Sequence, residues 1–194
     1  MEIGATKVVQ DRLKTTKIEE SKGASLVFCW DTHLTKIKVR NVLFIVNASN
    51  RYTIAMTDIE PRNWNYYTMY IRSVIHGVMQ EMGYSEDQIG QYFKMSGDTT
   101  VTKTHGRKSV GGINRMVMDA QYFGKKLEKE AKYQWELSEY LNRDICQPEG
   151  FDAYGYPTEL FKLDMERLGI VPKRKPAKVI DFTRHIDTNR STNH

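Results

Sequence analysis

Apolar residues in this chain change their spacing at Asp58-Ile59-Glu60-Pro61, and the change divides the chain into two kinds of structure. Upstream lie four apolar stretches of strand length, Leu26 to Trp30, Leu34 to Val39, Val42 to Val46 and Tyr52 to Met56. Leu34, Ile37 and Val39 are separated by Lys36 and Lys38, the alternation of a strand with one face on a core. Arg40-Asn41 stands between two stretches, and Asn tolerates the positive φ that a tight turn demands. Downstream, Trp64, Tyr67, Ile71, Val74, Ile75, Val78 and Met82 step by three and four, which sets them on one stripe of a long helix. The pattern predicts an α+β fold, an antiparallel β-meander in the N-terminal third packed against several helices.

Boundary residues refine the helices. Asp58 is a candidate cap and Pro61 suits a first helical turn, with Gly83 as the stop after about Met82. Ser85 followed by Gln88 has the spacing of a capping box and opens a second helix to about Met95. Polar sequence from Ser96 to Gly112 interrupts the pattern until Ile113, Met116, Val117 and Ala120 resume helical spacing. Lys125 to Leu141 reads as an exposed helix that buries Leu127, Ala131, Trp135 and Leu141. Asp144 to Tyr156 reads as a loop, and Pro157 to Leu168 as a last amphipathic helix closed by Gly169.

The chain has 194 residues, 40% apolar, with seven Phe and three Trp, enough for one core. The expectation is a single domain over residues 1–170 and a basic tail over 171–194. Val42 to Val46 is the longest purely apolar run, far below the roughly 20 residues that cross a bilayer. Glu2 stands where a secretion signal would be basic, so a cytoplasmic protein is expected. Cys29 and Cys146 are far apart and belong to no CxxC pair, so they imply buried thiols rather than a zinc or disulfide framework. No metal or cofactor is expected. From Pro172 to His194 six basic residues face Asp181 and Asp187, so +4 of the net charge of +5 falls in the tail. Such asymmetry suits an acidic partner, either nucleic acid or an acidic protein surface, or else simply aids solubility.

The densest chemical signal runs from Thr100 to Arg115. It has no acidic residue between Asp98 and Asp119, while Lys103, Arg107, Lys108 and Arg115 carry four positive charges beside His105. Basic side chains, hydroxyls such as Ser109 and glycines ahead of a helix are the components of an anion site, with phosphate or phosphodiester as the natural ligand. Gly106-Arg107-Lys108-Ser109 is not a Walker A loop, because its lysine is one position late and the upstream glycine is missing.

Two further candidates lie in the strand region. Asp31 and His33 are two apart and should share a face, where a carboxylate can orient an imidazole for proton transfer, although a structural hydrogen bond is the commoner role of such a pair. Asn47-Ala-Ser-Asn-Arg-Tyr52 is a polar turn in which Asn47 and Asn50 favour local backbone bonds, and Arg51 carries a fork suited to phosphate or carboxylate.

Phe28-Cys-Trp-Asp-Thr-His33, Val46-Asn-Ala-Ser-Asn-Arg-Tyr-Thr53 and Thr102-Lys-Thr-His-Gly-Arg-Lys-Ser-Val-Gly-Gly-Ile-Asn114, in this order and spacing, resemble the signature of the bacterial family called domain of unknown function 6933. The resemblance covers roughly residues 6 to 161 and leaves the tail outside. It implies a small α+β domain and no established reaction. A Trp-His pair commonly stands in that family where this chain has Trp30-Asp31-Thr32-His33, so the resemblance leaves the role of His33 open.

The expected function is nucleic-acid or phosphate binding through Arg51, Asn47, Asn50, Lys103, Arg107, Lys108, Ser109, Asn114 and Arg115. One rival is a metal-independent phosphodiesterase or nuclease using His33, Asp31 or His105 for proton transfer, with Lys103 or Arg107 stabilising negative charge. The other is a protein-interaction factor of a mobile element acting through the basic tail.

Overall fold

The computed structural model describes residues 1–14 and 18–173, so the expected tail lies outside the described residues from position 174 onward. Its organising element is one five-stranded sheet in the order β4-β3-β2-β1-β5, comprising β1 (Glu2–Ala5), β2 (Cys29–Ile37), β3 (Arg40–Asn47), β4 (Thr53–Thr57) and β5 (Thr100–Thr102). Strands β2, β3 and β4 form the expected antiparallel meander. The sheet is mixed, because β1 runs parallel to β2 and β5 parallel to β1. These two strands have four and three residues, too few to show a period of two.

Local chemistry shifts several expected boundaries. Leu26–Phe28 is a single 3-10 turn, and the strand it leads into runs straight through Asp31-Thr32-His33. The hairpin turn falls at Lys38-Val39, with Lys38 at φ 55, while Arg40 and Asn41 pair with Ile37 and Lys36 inside the ladder. Arg40 is held there because its guanidinium reaches the Thr57 hydroxyl, the Asp58 carboxylate and the Glu128 carbonyl. That engagement also removes Asp58 as a cap. Asp58 sits at φ 53, and Glu60 takes the cap position ahead of Pro61.

Helix α1 (Lys7–Leu13) links β1 to β2. The expected long helix is two pieces, α2 (Pro61–Asn65) and α3 (Tyr67–Glu81), separated at Tyr66 with φ −114 and ψ 42. Tyr67, Ile71, Ile75 and Val78 of the stripe are buried as expected. Helix α4 (Glu86–Ser96) opens on the capping box, with Ser85 Oγ accepting from the Gln88 amide at 3.3 Å and Gln88 Oε1 from the Ser85 amide at 2.9 Å. Helix α5 (Gly106–Gln121) begins well before the expected Ile113, and α6 (Trp135–Asn142) is much shorter than the helix expected from Lys125. Residues 131–134 cannot coil because β4 captures their backbone. The Thr57 amide donates to the Lys132 carbonyl at 2.7 Å, Met56 bridges Tyr133, and the Gln134 amide donates to the Ala55 carbonyl at 2.9 Å. Trp135, expected inside, is left 44% exposed. Helix α7 (Pro157–Arg167) matches expectation, with Gly169 at φ 71 behind it.

The sheet is covered on both faces. Ile3, Trp30, Leu43, Ile45, Ile54 and Met56 pack with Ile71, Ile75, Tyr92, Phe161 and Met165 from α3, α4 and α7. On the other face Ile37, Val42, Phe44, Val46 and Ala55 meet Ile113, Met116 and Ala120 of α5 and Leu137 and Leu141 of α6. Double coverage is why Val42 to Val46 is an unbroken apolar run rather than an alternating one. Both cysteines are buried free thiols, and no helix among the described residues is long and apolar enough to cross a membrane.

The first core contains a buried polar relay: Trp30 Nε1 donates to Tyr92 Oη at 2.9 Å, and that hydroxyl donates to the Val27 carbonyl at 2.7 Å. Tyr92→Phe strands the indole N–H in a dry site, so the urea midpoint is expected to fall by the equivalent of about 1–3 kcal/mol.

Candidate functional site

On the α5 side of the sheet, β1 and β2 depart from the apolar pattern. The parallel register sets Glu2 beside Cys29 and Gly4 beside Asp31, and the period of two turns all four toward α5. His105 occupies the residue immediately before α5, over these positions. Asp31 Oδ1 lies 2.7 Å from His105 Nδ1, and both Asp31 oxygens accept from the His105 backbone N–H, at 3.2 and 3.3 Å. Ser109 Oγ, one helical turn along, donates to Asp31 Oδ2. The other imidazole nitrogen, Nε2, is 3.0 Å from Glu2 Oε2, and Glu2 Oε1 accepts from the Lys22 amide at 2.9 Å. All four side chains are buried.

An imidazole between two carboxylates holds two protons. Burial opposes the charge, but the hydrogen bond and charge of Asp31, reinforced by Cys29, outweigh it and raise the His105 pKa to about 10. Burial likewise pushes Glu2 up, and bonds from Ser21, the Lys22 amide and His105 more than reverse it, leaving Glu2 below the usual carboxylate range. Gly4 makes the approach possible. A Cβ there would lie 1.8 Å from Asp31 Oδ1 and 3.0 Å from His105 Nδ1.

Asp31 therefore has an imidazole partner, but not the expected one. His33 shares its face and instead bonds Thr6 Oγ1 at 3.2 Å, and burial lowers its pKa. Residues two apart on a strand are separated by roughly 6.6 Å, so Asp31 bonds a side chain arriving from across the layer rather than its strand neighbour. Glu2 escapes a reading of the sequence because an acid in a four-residue strand carries no periodic signal.

A groove of about 350 Å³ opens beside this network, between the turn after β3 and the first half of α5. Arg51, Lys108 and Arg115 line it together with Asn47, Ser109 and Glu149. Arg51 stands at φ 63, and its arm lies against Gly112, where an added Cβ would be 3.3 Å from Cδ. Asn47 and Asn50 build the turn that presents it. Asn47 Oδ1 accepts from the Ser49 and Asn50 amides while its Nδ2 donates to the Val27 carbonyl at 2.9 Å. Asn50 Oδ1 accepts from the Tyr52 amide, and Nδ2 donates to Asp164 Oδ2 at 2.9 Å. Both amides are thus occupied by the fold. Lys108 Nζ donates to the Pro148 carbonyl at 3.2 Å, and Arg115 pairs with Asp119 at 3.1 Å. The remaining candidates stand apart from the groove: Lys103 pairs with Glu20, and Arg107 and Asn114 are exposed on α5 without lining it.

Fold and site together define an α+β protein whose mixed sheet anchors one helix through a buried carboxylate–imidazole network and presents a cationic groove beside it. The family described as Domain of unknown function (DUF6933) matches residues 2–160, and the chain belongs to that family. No curated protein and no solved structure matches the chain.

Gly4→Ala is expected to lower stability by about 1–3 kcal/mol or more, because the new methyl displaces Asp31; urea unfolding checks this. The sign of the pH dependence follows from a raised histidine pKa. The stability His105 contributes is complete below the ordinary value of 6.5 and is lost as pH rises from there to about 10. Urea midpoints measured across that range should decline, and less steeply in His105→Gln.

Proposed function

We propose that the protein binds a phosphate-bearing ligand, the backbone of a nucleic acid above all, in the groove lined by Arg51, Lys108 and Arg115. The observation that carries this reading is the convergence of cations distant in sequence on one concave surface, with one of them held on a left-handed backbone. A positive-φ arginine costs on the order of 1 kcal/mol or more and persists where surrounding bonds over-determine it, as the Asn47 and Asn50 amides do here. Arg51 and Arg115 contribute planar forks, and Lys108 and Ser109 lie in the first turn of α5, where the helix adds partial positive charge. The net charge of +5, most of it in the C-terminal tail, adds sequence-independent attraction.

Binding is favoured over cleavage. The imidazole of His105 is buried with a partner on each nitrogen, and so serves to position α5 rather than to carry a substrate proton. His33 lies outside the groove.

The test is fluorescence anisotropy with labelled single- and double-stranded DNA and RNA at about 50 and 200 mM salt. Binding should weaken steeply with salt. Arg51→Ala, Lys108→Ala and Arg115→Ala should each lower affinity and flatten the salt slope by about 0.7–0.9 for every phosphate left unneutralised. Lys103→Ala, which removes a charge outside the groove, should change little. Salt-insensitive binding, or no difference between groove variants and Lys103→Ala, overturns the proposal.

A further inference from the structure

Phosphate binding leaves Cys29 without a task. One donor atom each from Glu2, Cys29 and His105, an oxygen, a sulfur and a nitrogen, lie within 4.8 Å of one another in the interior. A tetrahedral metal site with bonds of 2.0–2.3 Å holds its donors roughly 3.3–3.8 Å apart, so the three donors already stand within about 1.5 Å of that spacing. The donors are also steadied from behind. Asp31 engages His105 Nδ1 at 2.7 Å, which leaves Nε2 pointing at Glu2, and the Lys22 amide holds the outer oxygen of Glu2. A carboxylate behind a histidine, fixing its tautomer, is the usual support of a metal-bound imidazole.

We infer that Glu2, Cys29 and His105 form a binding site for one divalent ion of the zinc class. A thiolate with an imidazole and a carboxylate selects Zn²⁺ or Co²⁺ over magnesium or calcium. Entry of the ion releases two protons, one from the Cys29 thiol and one from the His105 imidazolium, so the charge enclosed by the layer does not change. Cys29 now directs its thiol at the Ala24 and Ser25 carbonyls, at 3.7 and 3.5 Å, and deprotonation frees it from them. Three protein donors leave the fourth tetrahedral position to water, and because all three are buried the ion would serve the fold rather than meet the ligand of the groove. It would join β1, β2 and the residue that starts α5, and through Asp31 and Ser109 hold the helix that lines the groove. In the metal-free protein the proton on His105 takes the place of the ion, and the decline in stability between pH 6.5 and about 10 belongs to that form.

Titration of the chelator-treated full chain with Co²⁺ alone tests the site. The expected result is one Co²⁺ per chain, with a near-ultraviolet thiolate-to-cobalt band and visible bands of tetrahedral intensity that added Zn²⁺ abolishes. The band should be lost in Cys29→Ser and kept in Cys146→Ser, and Asp31→Asn should weaken binding by about 10–100-fold. Absence of stoichiometric binding, or a band undiminished in Cys29→Ser, overturns the inference while leaving the groove untouched. Should Cys29→Ser fail to fold, the parent's stoichiometry and the band in Cys146→Ser decide: a 1:1 band kept without Cys146 supports the site, and its loss there overturns it.

Discussion

The contact between Asp31 and His105 is what turns a sheet and a set of helices into a site. A carboxylate and an imidazole buried together at 2.7 Å need their remaining donors and acceptors bonded, and their neighbours serve that requirement. Gly4 withholds a side chain so that Asp31 can lie over β1, Ser109 fills the remaining lone pair, and Glu2 accepts the second imidazole proton. The cost of leaving any of these groups unpaired indoors fixes where α5 begins and how it crosses the sheet. The walls of the groove are set by that placement, since Lys108, Ser109 and Arg115 belong to the same helix.

The opposite wall depends on a different device. The turn from Asn47 to Tyr52 uses two asparagine amides as scaffolding, one closing on its own backbone and the other reaching Asp164 on α7. Burial raises the Asp164 pKa, while bonds from Asn50 and Ser49 and the charge of Arg167 offset part of that rise. Gly150 packs directly on Ser49, where a Cβ would be 2.1 Å from the hydroxyl, so the loop before α7 clamps the turn from outside. Arg51 is thus presented by a rigid frame. Preorganised cations need not pay for ordering when a ligand arrives.

Much of the fold was legible in the sequence because it rests on repeated signals. The β2–β4 meander, the stripe on α3, the Ser85–Gln88 box and the last helix each involve several residues that agree. What escaped was decided by single long-range bonds. Arg40 reaching Asp58 moved a turn and removed a cap, and β4 capturing residues 131–134 cancelled a helix whose local pattern was sound. The site was legible residue by residue but not as pairs. Asp31, His105, Ser109, Arg51, Lys108 and Arg115 all carry chemistry that stands out, whereas only the parallel register of β1 on β2 reveals which imidazole Asp31 meets and that Glu2 joins them.

The same captured backbone has a bearing on assembly. On the β4 edge, residues 131–134 occupy ladder groups, and on the β5 edge Glu19 bridges Thr102 while its carbonyl accepts from the Lys103 amide at 2.9 Å. Both margins of the sheet are therefore plugged by the chain's own loops, as sheets that resist edge-to-edge stacking are. Strand addition at these margins would first have to prise a loop away, which leaves side chains and shape, rather than open backbone, as what the sheet's edges offer to another molecule.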